Sequence, residues 1–205
     1  MIKKVLILSD RNFQSAPRII REIFILEKSF KVFTSNFISY RDNHIYRKKS
    51  PLLLLDRIFN KLYKLFKGHY YYKNLPFRSI FLARFYKKYL FDLIIIHEPE
   101  LLPYVDFLKK KFQVKVVFNA HEYHPLEFEN DLIWKKKYGK QYEYLYYNYL
   151  KKLDLLVNVC DGIAFECKRS FNVSSIVVPN ASFYHNVEVK EVQENFKVIH
   201  HGACI

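Results

Sequence analysis

Short apolar segments alternate along this chain with segments of helical periodicity, and this alternation constrains the fold more than any other feature. Six segments are rich in Val, Ile and Leu without strict polar alternation, which is typical of strands covered on both faces. They are residues 5–8, 31–34, 93–96, 114–118, 155–159 and 176–178. One helical pattern begins near Pro17, and three others cover residues 101–111, 132–150 and 162–171. The sequence therefore predicts an α/β fold, a parallel sheet with helices on both faces.

Composition excludes several classes of protein. Half of the 205 residues are hydrophobic, so we expect a sizeable core despite the net charge of +14. No apolar run approaches the roughly 20 residues that span a bilayer, and residues 1–8 are too short for a signal peptide. The three cysteines fit neither a redox pair nor a zinc ribbon. We therefore expect a globular chain in a reducing cytoplasm.

Polar residues follow almost every predicted strand. Ser9 and Asp10 follow the first strand, His97 and Glu98 follow the third, and residues 119–123, 160–161 and 179–180 follow later ones. Ligands of open α/β sheets bind at the carboxyl ends of the strands. An ordinary polar loop or a helix cap explains any single one of these segments equally well. Several such segments together favour a binding site.

A strongly basic segment interrupts the α/β pattern. Residues 47–88 hold twelve Lys and Arg against one acid, so most of the net positive charge is local. Within it, one helical face is apolar and the other is basic, and we assign membrane-surface contact to Arg57, Phe59, Lys61, Leu62, Lys64 and Phe66. A core helix with a solvated face and a nucleic-acid contact are the alternatives. We expect no nucleic-acid partner, because no helix-turn-helix, RNA-platform or zinc-finger pattern is present.

Metal and nucleotide motifs are not visible in the sequence. His121 and His124 are three residues apart with Pro125 next to them, whereas the zinc protease motif needs two histidines four apart on a helix. The four glycines are scattered and form no phosphate-binding loop. We therefore expect neither a metal nor a cofactor.

Four stretches together resemble the N-terminal half of a GT-B glycosyltransferase, in particular the family-4 group of retaining enzymes. They are residues 5–10 leading to 16–22, 91–98 leading to 101–103, 116–123, and 153–164 leading to 177–180. The resemblance implies a Rossmann-like domain that receives the acceptor, facing a second domain that holds a nucleotide-sugar donor. It also implies metal-independent sugar transfer to a glycan or lipid-linked acceptor, of the kind used in cell-surface polysaccharides.

The same resemblance suggests roles for individual residues. His121 matches the cleft histidine beside the transferred sugar, and we assign a catalytic role to it together with Glu122. Arg18 is expected to meet phosphate or acceptor oxygens. Acceptor binding is further assigned to residues at the strand ends, namely Ser9, Asp10, His97, Glu98 and Asn180. The alternative for each is a loop side chain that packs locally.

The resemblance also predicts a domain boundary. Residues 1–190 would form the N-terminal domain, and 191–205 a linker with the truncated first strand of the donor domain. Because the groups that neutralise the departing diphosphate would belong to the donor half, we expect little transfer by this chain alone. Two rival hypotheses are a fragment of a GT-B-shaped sugar-nucleotide epimerase and a non-enzymatic basic module that binds membranes or nucleic acid.

Overall fold

Six parallel strands form one sheet in the order β2-β1-β3-β4-β5-β6. The computed structural model describes residues 3–9, 16–34, 83–84, 86–182, 184–186 and 188. The strands are β1 Lys4–Leu8, β2 Lys31–Thr34, β3 Leu93–Ile96, β4 Lys115–Ala120, β5 Leu155–Asn158 and β6 Ile176–Val177. Every predicted strand is confirmed, with ends that differ by at most two residues.

The helices of the described ranges lie between these strands. They include α1 Pro17–Leu26, α2 Tyr104–Phe112, α3 Leu132–Trp134, α4 Lys140–Tyr149 and α5 Asp161–Phe171, with short 3-10 turns at Pro99–Leu101, His124–Leu126 and Leu150–Lys152. The helix predicted over 101–111 begins later, because Pro99 and Pro103 hold the chain in a tighter turn before α2. A π-helical turn, Lys135–Gly139, joins α3 to α4 within the helix predicted over 132–150.

The two faces of the sheet carry separate apolar cores. Ile7 of β1 points to the face covered by Ile19 and Ile23 of α1. Leu6 and Leu8 point to the opposite face, where a larger core includes α2, α4 and α5. Side chains alternate between the faces of a strand, so β1, which is buried from Val5 to Leu8, requires cover on both sides. The prediction of helices on both faces is confirmed.

The strand order reverses direction between β1 and β3. From β1 the chain passes outward to β2, while β3, β4, β5 and β6 lie in sequence on the other side of β1. The helix after β1 and the helix after β3 therefore cover opposite faces. Open α/β sheets bind ligands at such a reversal, beside the carboxyl ends of the two strands that flank it, here β1 and β3, and we call this position the crevice. Ser9 and His97 follow those two strands.

Several predictions lie outside the described residues. These are Asp10, the proposed membrane-surface helix with its residues Arg57, Phe59, Lys61, Leu62, Lys64 and Phe66, and the boundary between 190 and 191. In the ranges that are described, no helix has both the length and the apolar character needed to cross a bilayer.

Candidate active site at the carboxyl edge of the sheet

Side chains from β3, β4 and α1 meet at the crevice. His97 comes directly after β3, His121 comes directly after β4, and α1 carries Arg18 and Glu22 one turn apart on the same stripe. His97 is buried, while His121 is half-buried. The fold therefore joins three segments that are distant in sequence, and we call Glu22, His97 and His121 the histidine cluster.

The two histidines contact each other directly. Nδ1 of His97 is 2.9 Å from Nε2 of His121, and the rings are nearly parallel with their centroids 5.1 Å apart. A distance of 2.9 Å between ring nitrogens means that one of them donates a proton and the other accepts it. The protonation states of the two rings are therefore coupled.

Glu22 lies behind His97. Its Oε2 is 2.9 Å from Nε2 of His97, an ion-pair distance although the contact lacks aligned hydrogen-bond geometry. Its other oxygen, Oε1, accepts a hydrogen bond of 3.3 Å from Nδ2 of Asn119 in β4. Glu22 is not among the site residues predicted from the sequence. The one feature of the sequence that could have indicated it is its position as an acid beside Ile23, a buried residue of the amphipathic helix α1.

Arg18 connects α1 to the loop after β4. Its Nη1 lies 3.3 Å from Oε1 of Glu122 and 3.5 Å from the backbone oxygen of His121. Both side chains are more than a third exposed, at 38% and 46%, so this ion pair adds little to stability. Three predicted site residues, Arg18, His121 and Glu122, are thus brought together, and the charged groups of Arg18 and Glu122 are partly exposed.

Ser9 and Glu98 bind each other rather than facing the solvent. The hydroxyl of Ser9 donates a hydrogen bond of 2.8 Å to Oε1 of Glu98, and both residues are buried. This bond joins the loops after β1 and β3, the two strands that border the crevice. The assignment of both residues to the acceptor pocket stays a prediction.

Asn180 contacts α1 at Arg21 rather than at Arg18. Its Oδ1 accepts a hydrogen bond of 2.5 Å from Nη2 of Arg21, and Asn180 itself is exposed. This hydrogen bond links the segment after β6 to α1, the helix that contains Arg18. Its role in acceptor binding also stays a prediction.

A buried tyrosine supports the loop that carries His121. The phenol of Tyr146, fully buried in α4, is 2.8 Å from Nδ1 of His124 and donates a 3.4 Å hydrogen bond to the backbone oxygen of Glu122. Burial raises the pKa of this phenol well above its usual range, so the hydroxyl keeps its proton. Tyr149 of α4 is buried as well, while Tyr147 lies at the surface.

The cluster does not form a metal centre. Within the described ranges, no three His, Cys, Asp or Glu side chains are grouped so that they could hold an ion. Both ring nitrogens of His97 lie 2.9 Å from a protein atom, Nδ1 from Nε2 of His121 and Nε2 from Oε2 of Glu22.

A second surface feature lies between α4 and α5. A groove of about 1000 Å³ is bordered by Tyr123, Leu132, Lys140 and Arg169 among others, and none of its side chains belongs to the histidine cluster. At its edge Leu132 is 79% exposed and the adjacent Ile133 is 80% exposed. Exposed apolar side chains beside basic ones are common on surfaces that contact a partner or a membrane.

Comparison with solved structures identifies the fold. The chain is similar to sucrose-phosphate synthase from Thermosynechococcus elongatus, with a TM-score of 0.66, 10% identity, and coverage of 88% of this chain and 48% of that one. It is also similar to UGT73P12 of Glycyrrhiza uralensis, solved with glycyrrhetinic acid 3-O-monoglucuronide, with a TM-score of 0.51, 9% identity, and coverage of 87% and 49%.

These two proteins are GT-B glycosyltransferases, and the chain spans about half of their length. The resemblance to an N-terminal GT-B domain is therefore confirmed at the level of the fold. No protein-family model matches the chain, and no curated protein matches its sequence.

Proposed function

We propose that this chain is the acceptor-side domain of a retaining glycosyltransferase that transfers a sugar from a nucleotide-sugar donor to a glycan or lipid-linked acceptor in cell-surface polysaccharide synthesis. One observation carries the proposal: His121 and Arg18 meet at the crevice of a sheet whose fold is that of GT-B glycosyltransferases. A fold alone does not determine a function, so the residues at this crevice are the necessary second argument.

The crevice residues suit sugar chemistry. The half-buried imidazole of His121 offers hydrogen-bonding nitrogens to sugar hydroxyl groups. The guanidinium of Arg18, held by Glu122, is placed to meet a phosphate or carboxylate oxygen. In this proposal His121 and Glu122 contact the transferred sugar, and Arg18 meets the charged part of a substrate.

Transfer requires a second domain in this proposal. The matched glycosyltransferases are about twice as long as the chain. Stabilisation of the departing diphosphate is a large part of the catalytic effect, and we assign it to a donor-binding half outside residues 1–205. We therefore expect the 205-residue chain to bind an acceptor but to transfer little sugar by itself.

Contact with a membrane would bring the domain to a lipid-linked acceptor, and we propose that the chain acts on the cytoplasmic face of an anionic membrane. The basic helix predicted from the sequence, with Arg57, Lys61 and Lys64, is the proposed contact. Among the described residues, exposed Leu132 and Ile133, followed by Lys135, Lys136 and Lys137, support a second contact of the same chemistry.

The test of the function is transfer of labelled sugar from nucleotide-sugar donors to membrane glycolipid extracts. The protein should contain residues 1–205 joined to any sequence encoded after residue 205. We expect His121→Ala to lose most of the turnover, and His185→Ala, an exposed histidine far along the chain, to retain it. Conversion of the donor sugar without an acceptor would favour an epimerase, and a wholly inactive protein that still binds vesicles would favour a non-enzymatic module.

The test of membrane contact is cosedimentation of the chain with anionic vesicles at low salt. We expect charge reversal at Lys61 and Lys64 to weaken binding by at least about thirtyfold, because two attractions to the headgroups are lost. Leu132→Ser combined with Ile133→Ser should weaken binding about tenfold, because it removes buried apolar area. Ile25→Ser is the matched control, since Ile25 is 60% exposed on α1. Binding that is equal for all variants would contradict the proposal.

A further inference from the structure

The groove between α4 and α5 begins at the loop that carries the predicted catalytic residues. Glu122 of this loop pairs with Arg18 at the crevice, whereas the next residue, Tyr123, lines the groove. Leu126, at the end of the same loop, lines the groove as well. The groove and the crevice therefore share one short segment of chain.

Apolar and aromatic side chains form much of the groove. Leu126 is 39% exposed, Leu132 is 79% exposed and Tyr147 is 71% exposed, while Phe171 is buried. A hydrocarbon chain lying against the exposed side chains would leave water together with their surface, which favours binding. The groove volume of about 1000 Å³ is at the upper end of the range for small-molecule sites.

Three lysines of the lining lack acidic partners. They are Lys135, Lys136 and Lys140. All three are exposed, and within the described part of the chain none of them forms an ion pair. Lys136 and Lys140 are four residues apart, so their side chains leave the helix on nearly the same side. An anionic group placed there would meet two charges that no acid of the described residues neutralises.

The acids of the groove do not cancel this charge. Glu166 lies 2.6 Å from Arg169 on α5, so it is already paired. Glu143 is the other acid among the described lining residues. With four basic groups against two acids, the lining is net positive. A ligand that fits this surface therefore needs both an anionic group and an apolar part.

We infer that the groove binds one lipid phosphate molecule, with the phosphate group at Lys136 and Lys140 and the hydrocarbon chain against Leu126. A phosphate without a chain would leave the apolar wall in water, and an uncharged chain would leave the lysines unpaired. Leu132 and Ile133 also form the proposed membrane contact, so a lipid in the membrane reaches the edge of the groove directly.

The lipid phosphate is the carrier of the proposed acceptor, an identification that rests on the proposed function. The preference of the groove for a lipid phosphate does not rest on it. Because Tyr123 follows Glu122 directly, a lipid held in the groove keeps its sugar close to the loop of the crevice. The site therefore contributes to acceptor affinity, and the chemistry stays with His121.

Binding is measured through Trp134, the single tryptophan of the chain. An atom of its ring lies 3.7 Å from where a Cβ on Gly139 would stand, and Gly139 lines the groove. The probe is decyl phosphate with a terminal bromine, used below its micelle concentration, because bromine quenches indole fluorescence only at short range. We expect saturable quenching by one molecule per chain. A maltoside with the same brominated chain should bind at least about tenfold more weakly.

Two changes in the groove locate the site. Lys136→Glu combined with Lys140→Glu should weaken binding about tenfold or more, because two attractions become repulsions. Leu126→Ser should weaken it about fivefold, because the ligand covers the exposed part of this side chain. Lys28→Glu combined with Lys110→Glu is the matched control, since it changes the net charge equally at two exposed lysines outside the groove. The control should change the affinity less than twofold at physiological salt.

Several results would overturn the inference. The first is absence of quenching in the unmodified chain, which requires no variant to fold. Others are equal affinity for the maltoside, displacement of the probe by inorganic phosphate or a glutamate-rich peptide at equal concentration, and equal losses in the two double variants. A dimer in sedimentation that excludes the probe would assign the groove to a second copy of the chain instead.

Transfer assays separate this inference from the proposed function. In an enzyme that transfers sugar, Lys136→Glu with Lys140→Glu should lower the preference for a lipid-linked over a lipid-free acceptor about tenfold, whereas the control pair should keep it. If the probe binds as expected but no transfer is found, the proposed function fails and the lipid phosphate site stands. If transfer is found but the probe does not bind, the inference fails and the function stands.

Discussion

Tyr146→Phe tests whether the loop that carries His121 is fixed from inside the core. The substitution keeps the ring, so the apolar packing of a fully buried side chain is preserved. It removes the hydroxyl, which is 2.8 Å from Nδ1 of His124 and 3.4 Å from the backbone oxygen of Glu122. The effect on stability therefore comes from polar contacts alone.

The magnitude follows from those two contacts. Removing one partner from a buried polar group costs about 1–3 kcal/mol, and the longer bond adds less than the shorter one. We expect the free energy of unfolding to fall by about 2 kcal/mol, which for a domain of this size lowers Tm by about 4–8 °C. Urea denaturation followed by circular dichroism measures the first quantity, and a thermal scan measures the second.

Tyr147→Phe is the matched control for this experiment. Tyr147 is the next residue of the same helix, but it is 71% exposed, so loss of its hydroxyl should change stability by less than about 0.5 kcal/mol. Equal midpoints for Tyr146→Phe and the unmodified chain, or equal losses in the two variants, would refute the argument that buried hydrogen bonds hold this loop.

Two further predictions concern groups outside the crevice. Burial raises the pKa of the Cys167 thiol to about 11, so at about pH 8 iodoacetamide should alkylate exposed Cys160 and spare Cys167 until the chain unfolds; equal labelling in a mass spectrum of the native chain would contradict this. Burial alone would raise the pKa of Asp154, but a backbone N–H and two lysines bind its carboxylate and lower the pKa overall. Its stabilisation is therefore complete above the ordinary carboxyl pKa and is lost as the pH falls through the lowered value. Asp154→Asn should cost about 1–2 kcal/mol near neutral pH and little in acid, as measured by urea midpoints across pH.

The strands were predictable because their burial is determined locally. A run such as Leu93–Ile96 has no polar face, so it requires cover on both sides wherever it lies, and the structure places it next to β1 at the centre of the sheet. The polar residues at the strand ends were predictable for the same reason, since a buried strand must end where polar groups begin. His97 and His121 were identified in this way.

The interrupted helix was not predictable from periodicity. Residues 132–150 have a helical pattern, but the structure inserts a π-helical turn at Lys135–Gly139. A Cβ on Gly139 would stand only 3.1 Å from the backbone oxygen of Pro125, so the helix passes very close to the turn after the His121 loop. This close contact depends on Pro125, which lies outside the helix. The spacing of apolar residues within 132–150 therefore could not predict it.

The chain's own sequence thus determined which segments are buried and at which strand ends polar groups gather. Tertiary structure alone decided that Glu22 lies behind His97 and that His97 contacts His121, because these contacts depend on how α1 crosses the ends of β3 and β4. Glu22 is one acid among several on a helix surface until that crossing brings its carboxylate to 2.9 Å from a buried imidazole. Hydrogen bonds require atoms to be placed within a few tenths of an ångström, and hydrophobic periodicity specifies only the face of an element.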